Sequence, residues 1–217
     1  MAGRVRWGVV LAVLQMLVVL GLAATAVPAR AVVVVPPRPG QIGLGLQGQY
    51  GVALSSGDLG EDFESGPGLA VRLRYRMRYE RGFGLSFESQ KLDVRPEAGF
   101  TDPFTGEALA PGDIGYPTSL TVGLYGLEFY QMFGTRTRTT RMLSVGAGLA
   151  RLSRELVGDE TDFPGDGLFV SAGAGVERFF WQSWGMDFST RYYAVFHEGQ
   201  ANHLFHVSAG LVFYASL

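Results

Sequence analysis

Histidine and serine stand two apart at His206-Val207-Ser208. On a strand, residues i and i+2 share a face, so this pair could meet as base and nucleophile. Two other histidines, His197 and His203, are near in sequence, but His203 and His206 point to opposite sides of a strand and make poor metal co-ligands. Residues 43–48, GLGLQG, have the glycine spacing of a dinucleotide-binding turn. That turn works only where a helix N-terminus receives the pyrophosphate, and no amphipathic helix follows here. The strongest pattern is VRLRYRMR, residues 71–78, in which Arg72, Arg74, Arg76 and Arg78 alternate with Val71, Leu73, Tyr75 and Met77. One face is cationic and the other apolar. A basic ribbon suggests nucleic acid, but the formal net charge of −2 argues against it.

Composition narrows the class of element that positions these residues. The 217-residue chain has no cysteine, which excludes a disulfide framework and a thiolate metal site. Its 31 glycines and 12% aromatics suit many short strands better than a helical bundle. Arg4 and Arg6 precede an apolar run from Gly8 to Ala26, followed by small-x-small sites at Ala24-Thr25-Ala26 and Ala29-Arg30-Ala31. Residues 1–31 therefore read as a secretory signal peptide, 32–40 as a short N-terminal periplasmic segment, and 41–217 as the folded domain. Without 1–31 the chain carries 15 basic and 20 acidic residues, a mildly acidic exported protein.

Beyond Gly40, period-two alternation recurs and no helical period holds. Strands are expected at about 41–54, 69–78, 83–94, 119–133, 142–152, 168–180, 185–196 and 204–214. Most are near the ten residues that a tilted strand needs to cross a bilayer. In a soluble sheet the polar face meets water and is rich in Lys, Glu and Thr. Here the polar faces are mostly Gly, Ser and Ala, which suit a narrow interior. The fold class expected is all-β, an eight-stranded antiparallel up-and-down transmembrane β-barrel. Its lumen would hold a charge network of Arg72, Arg74, Arg76, Arg78, Glu88, Glu177, Asp187 and Arg191, because buried charge requires partners. The fourth strand changes parity near Gly126, where a bulge is expected, and with that bulge Glu128 would join the network. Leu120, Val122 and Leu124 would then face lipid.

Long or polar connections are expected at 55–67, 95–117, 155–167 and 197–202, and tight turns at 79–82, 134–140 and 181–184. This alternation places long loops outside the cell and tight turns, with both termini, in the periplasm. The long connections hold most of the acids and the turns hold Arg81, Arg136 and Arg138. Aromatics gather at all three turns: Tyr75, Tyr79 and Phe83; Phe129, Tyr130 and Phe133; Phe179, Phe180, Trp181 and Trp184. Girdles of this kind sit at lipid headgroups.

On the alternating strands, the loop asymmetry and the closing segment HVSAGLVFY, residues 206–214, the chain resembles the small eight-stranded outer-membrane β-barrels. These are the OmpX-like proteins and the membrane domain of OmpA-like proteins. The resemblance implies residence in the outer membrane of a Gram-negative-type bacterium, contact with outer-membrane lipid and lipopolysaccharide, and a monomer. It also implies recognition of the last strand by the barrel-assembly machinery, through Ser208, Gly210, Leu211 and Phe213, although Ala215-Ser216-Leu217 follow Tyr214. No cofactor, metal or nucleic acid is expected. The chain also resembles outer-membrane lipid A deacylases in size and in its His-x-Ser pair, but their serine is followed by asparagine and Ser208 by Ala209. The favoured role is structural, adhesive or loop-mediated binding, with a lipid A-modifying enzyme or a soluble periplasmic binding barrel as alternatives.

Overall fold

Where bulky apolar residues alternate with small or charged ones, an extended chain can give each face a different environment, and successive segments pair as hairpins. A computed structural model of the protein describes residues 37–54, 58–102, 105–158, 161–181 and 183–216. The expected signal peptide and residues 32–36 lie outside the described residues.

Eight long strands close into a ring: β1 (Gln41–Ala53), β2 (Ser65–Arg78), β3 (Arg81–Asp93), β6 (Pro117–Phe133), β7 (Thr139–Leu156), β8 (Thr161–Trp181), β9 (Trp184–His197) and β10 (Gln200–Ser216). The connections hold a short helix, α1 (Asp58–Asp62), and a small ladder of β4 (Phe100–Thr101) with β5 (Ala108–Leu109). Every neighbouring pair in the ring is antiparallel, and β10 pairs with β1 to close it. One circuit of the ladder runs Gly43, Arg74, Gly84, Glu128, Gly146, Ser171, Tyr193, Leu204 and back to Ala53. That stagger of ten residues over eight strands sets the strands at roughly 35–45° to the barrel axis.

The outer wall is apolar. On β7 the exposed residues Leu143, Val145 and Leu149 stand between exposed Arg141 and Arg151. On β8 Leu168, Val170 and Val176 stand between Asp166 and Arg178, and on β3 Phe83, Leu85 and Phe87 stand between Arg81 and Lys91. Arg141 and Arg151 are ten residues apart. At roughly 3.3 Å per residue and about 40° of tilt, that spans roughly 25 Å along the axis, the height of the apolar band of a transmembrane barrel. Closure leaves no unpaired edge inside that band.

The connections differ from expectation at one end. The turns after β2 (Tyr79, Glu80), β6 (134–138) and β8 (182–183) are short. The connections 54–64 and 94–116 are long, but β7 and β8 run on for 18 and 21 residues and leave only 157–160 between them. The stretch expected as loop at 155–167 is thus largely an extended hairpin, and Asp162 and Asp166 lie on β8. The stretch 197–202 tightens to a turn of Glu198 and Gly199, whose φ values of 50° and 79° fit a primed turn, matching the twist of its strands. Four connections therefore do not form four loops.

The interior is layered. At the long-loop end, α1 brings Leu59 into the mouth, where Leu59 N–H donates to Asn202 Oδ1 at 3.0 Å. Leu59 and the adjoining Phe63 join Leu92, Leu120, Val122, Leu124, Leu152, Phe169, Tyr193, Val195 and Leu204 in one buried apolar cluster. Burying that many large apolar side chains is worth roughly 1.5–3 kcal/mol each. At the short-turn end Tyr130, Met132 and Met142 form one cluster, and Phe179, Val212 and Tyr214 another. Charged residues lie between. This layering corrects the reading of the fourth strand. The β3–β6 ladder is continuous from Arg81↔Gln131 to Asp93↔Ser119, with no bulge at Gly126. Even-numbered residues of β6 face inward from Leu120 to Met132, so Leu120, Val122 and Leu124 are inside, and Glu128 faces in without a parity change. Two girdle assignments change likewise: Tyr130 and Phe179 are buried in the lumen, while Phe129, Phe133, Phe180, Trp181 and Trp184 are exposed.

Candidate functional site

The middle of the lumen holds four guanidinium groups, Arg72, Arg74, Arg76 and Arg191, and four carboxylates, Glu88, Glu128, Glu177 and Asp187. All eight are at most 4% exposed. Their placement follows from parity: even residues of β2, β3 and β6 and odd residues of β8 and β9 share the inner face. The opposing glycines make room. A Cβ on Gly173 would lie 2.8 Å from Arg191 Cγ, and one on Gly43 would lie 2.6 Å from the Tyr214 ring.

Three linked groups satisfy the charges. Arg72 Nη2 donates to Glu88 Oε1 at 2.5 Å, and Tyr193 Oη donates to the same oxygen at 2.8 Å. His206 Nδ1 approaches Glu88 Oε2 at 3.3 Å. Arg74 Nη1 bridges Glu177 and Asp187, lying 2.5 Å from Asp187 Oδ2. Arg76 Nη2 donates to Glu177 Oε2 at 2.9 Å, and Tyr214 Oη donates to Glu177 Oε1 at 2.8 Å. Arg191 and the Tyr130 hydroxyl both donate to Glu128. Arg74 lies over the Tyr130 ring at 5.0 Å and Arg76 over Tyr214 at 4.8 Å, so the tyrosines join the groups through π faces as well as hydroxyls. With equal numbers of opposite charges and apolar layers above and below, the cluster is formally neutral and shielded from bulk water. Several arginine nitrogens, such as Nε of Arg72 and Arg76, have no hydrogen-bond acceptor among the described residues.

Seven of the eight residues expected in the network are buried in the lumen. Arg78 is not. The β2–β3 register shifts between Arg76 and Arg78, and Arg78 pairs with Arg81 beside the tight turn, exposed at the rim where no partner carboxylate is needed. Tyr130, Tyr193 and Tyr214 were absent from the expected network. Parity alone places all three on the lumen face, where a hydroxyl supplies the carboxylates with a neutral donor.

The His206–Ser208 pair does not couple. His206 faces Glu88, whereas the Ser208 hydroxyl pairs with the Ser189 hydroxyl at 2.8 Å. Both residues lie inside the closed lumen. His203 is on the outer wall, stacked on Tyr192 with ring centroids 5.6 Å apart. The glycines of GLGLQG lie within β1. Outside the barrel, a groove of about 500 Å³ lies at the long-loop end between connection 94–116 and Val157, lined by Arg95, Pro96, Pro111, Tyr116 and Pro117 among others. Ile114 and Phe163 are large apolar residues exposed near the same end.

The fold is similar to two solved barrels. The Neisserial surface protein A matches over 80% of this chain and 98% of its own, with 15% identity and a TM-score of 0.56. The N-terminal β-barrel domain of Pseudomonas aeruginosa OprF matches over 82% of this chain and 100% of its own, with 12% identity and a TM-score of 0.51. No protein-family model and no curated protein matches the sequence. Closed ring, apolar wall and enclosed ions define an integral outer-membrane β-barrel. Its fold is that of the small eight-stranded outer-membrane β-barrels.

Proposed function

We propose that this barrel is a closed membrane anchor that presents its long-loop end for binding outside the cell, and that it neither conducts solutes nor performs catalysis. The observation that carries this reading is the stratified lumen: apolar layers at both ends enclose a neutral, paired set of charges. An eight-stranded lumen is filled by side chains, and here Leu59 of α1 and the adjoining Phe63 add to the filling. Work must then be done on the outside. The groove beside connection 94–116 and the projecting β7–β8 hairpin are the surfaces free to do it. Short turns, and with them the termini, face the periplasm in this orientation. A signal peptide over 1–31 fits the delivery it requires.

Two measurements test the reading. Reconstituted into a planar bilayer, the protein gives no stable conductance steps; a persistent open channel contradicts a closed anchor. Deleting residues 97–113 leaves a folded barrel, seen as a compact band that shifts only on boiling, and abolishes the surface adhesion that the intact protein confers on expressing cells. Adhesion that survives the deletion contradicts the assignment to this end.

A further inference from the structure

The short-turn rim is cationic. Arg78, Arg81, Arg136, Arg141 and Arg178 are all exposed there, and Glu80 is the exposed carboxylate among the described residues of that rim. The arginines occupy one continuous arc, since β2, β3, β6, β7 and β8 are successive staves of the ring. Three of them point toward lipid by parity. Arg81 follows the outward face of β3, Arg141 that of β7 and Arg178 that of β8.

Arg141 and Arg178 make the tightest pair. Arg141 is opposite Val176 and Arg178 is opposite Thr139, so the two arginines sit diagonally across the β7–β8 ladder on the same outer face. Diagonal neighbours are roughly 7–8 Å apart, close enough for two long side chains to converge on one anion. Neither makes an ion pair within the described residues. Phe133, directly opposite Arg141 on β6, and Phe180, two residues from Arg178 on β8, are both exposed. Above the pair, in the direction of the apolar belt, the wall becomes shallow: Leu143 pairs with Ala174 and Val145 with Ala172, so a bulky residue alternates with a small one. The result is a double cation with aromatic flanks at the lower edge of an apolar trough. A planar guanidinium pair matches a phosphodiester, and the trough matches hydrocarbon.

The geometry points to a binding site for an anionic glycerophospholipid, its phosphodiester held between Arg141 and Arg178 and its acyl chains laid along Leu143, Ala172, Ala174 and Val176. The site rests on the orientation proposed above only for its leaflet, which is the periplasmic one; the chemistry of the pair is independent of orientation. Arg81 and Arg136, the latter over the Tyr79 ring at 5.3 Å, extend the positive arc and favour anionic over zwitterionic headgroups.

The test is native mass spectrometry of the full-length folded protein released from detergent in the presence of phosphatidylglycerol or phosphatidylcholine. The intact protein retains phosphatidylglycerol in preference to phosphatidylcholine. The double variant R141Q/R178Q loses about thirtyfold in phosphatidylglycerol affinity, as expected for two interfacial arginines, and R151Q at the opposite edge of the belt leaves it unchanged. Equal retention by R141Q/R178Q, or no preference in the intact protein, overturns the site. The preference of the intact protein stands as a separate arm should the double variant fail to give a compact unboiled band. Orientation is read separately, from thiol labelling of the Thr137→Cys variant in whole and permeabilised cells, so a reversed barrel is distinguishable from an absent lipid site.

Discussion

Replacing Glu177 by Gln would remove one carboxylate from the enclosed cluster while keeping its shape. Glu177 accepts from Arg74, Arg76 and Tyr214 and is 1% exposed. Asp187 remains within reach of Arg74, but Arg76 has no other carboxylate at ion-pair distance among the described residues. The variant therefore leaves the lumen with an uncompensated positive charge centred on Arg76. Breaking a buried ion pair by deleting one partner costs about 3–5 kcal/mol, equivalent to roughly 10²- to 10⁴-fold in the folding equilibrium. The assay is urea unfolding of the protein in lipid vesicles, followed by the fraction running as a compact band without boiling. Adding Arg76→Met restores neutrality, and the double variant should be more stable than the sum of the single effects by about 1–3 kcal/mol. A loss below about 1 kcal/mol for E177Q, or strict additivity in the double variant, would show that water screens these charges and would refute the reasoning.

Gly173→Ala brings a Cβ to 2.8 Å from both Arg191 Cγ and the Thr190 carbonyl oxygen. It should cost about 1–3 kcal/mol in the same titration by overpacking. At the outer rim, Glu155 accepts from Lys91 Nζ at 2.6 Å and from the Ser119 hydroxyl at 3.0 Å, and these hydrogen bonds, that of Lys91 foremost, hold its carboxyl below the usual range. A depressed folded value means that this tie among β3, β6 and β7 is present above the usual carboxylate range and is lost as pH falls through the lowered value. Amide exchange at Leu92 and Leu120 should quicken on acidification in the intact protein and change less in Glu155→Gln. Ser208→Ala breaks the hydroxyl pair with Ser189 at a cost of about 1 kcal/mol and leaves lipid A acylation in expressing cells unchanged; accumulation of deacylated lipid A that depends on Ser208 would restore the hydrolase alternative.

The barrel was legible because a membrane inverts the usual assignment of faces. Small residues opposite leucines, as on β7 and β8, are hard to explain at a solvated surface and easy to explain in a narrow lumen. The same rule misled on β6. Leu120, Val122 and Leu124 are apolar yet face inward, because the outer third of this lumen is itself apolar and strand parity is conserved through Gly126. Apolarity does not specify a face when both environments are apolar. Alternation alone does not mark where a strand leaves the membrane, so Arg78 reads as luminal from sequence; the register shift next to the turn places it at the rim. The burial of Leu59 and Phe63 in the mouth had no periodic signal, since it depends on their meeting residues distant in sequence. The three tyrosines of the cluster could have been found by extending parity to hydroxyl-bearing aromatics.

The central claim is that Leu73 and Leu85 meet hydrocarbon while Arg72, Arg74 and Arg76 are enclosed. Solid-state NMR transfer of magnetisation from lipid acyl chains measures this directly in the intact protein in bilayers. Rapid transfer to Leu73, Leu85, Leu143 and Val145, with slow water exchange at the three arginines, is the predicted result. Leucines without lipid contact and arginines exchanging freely with bulk water would contradict it.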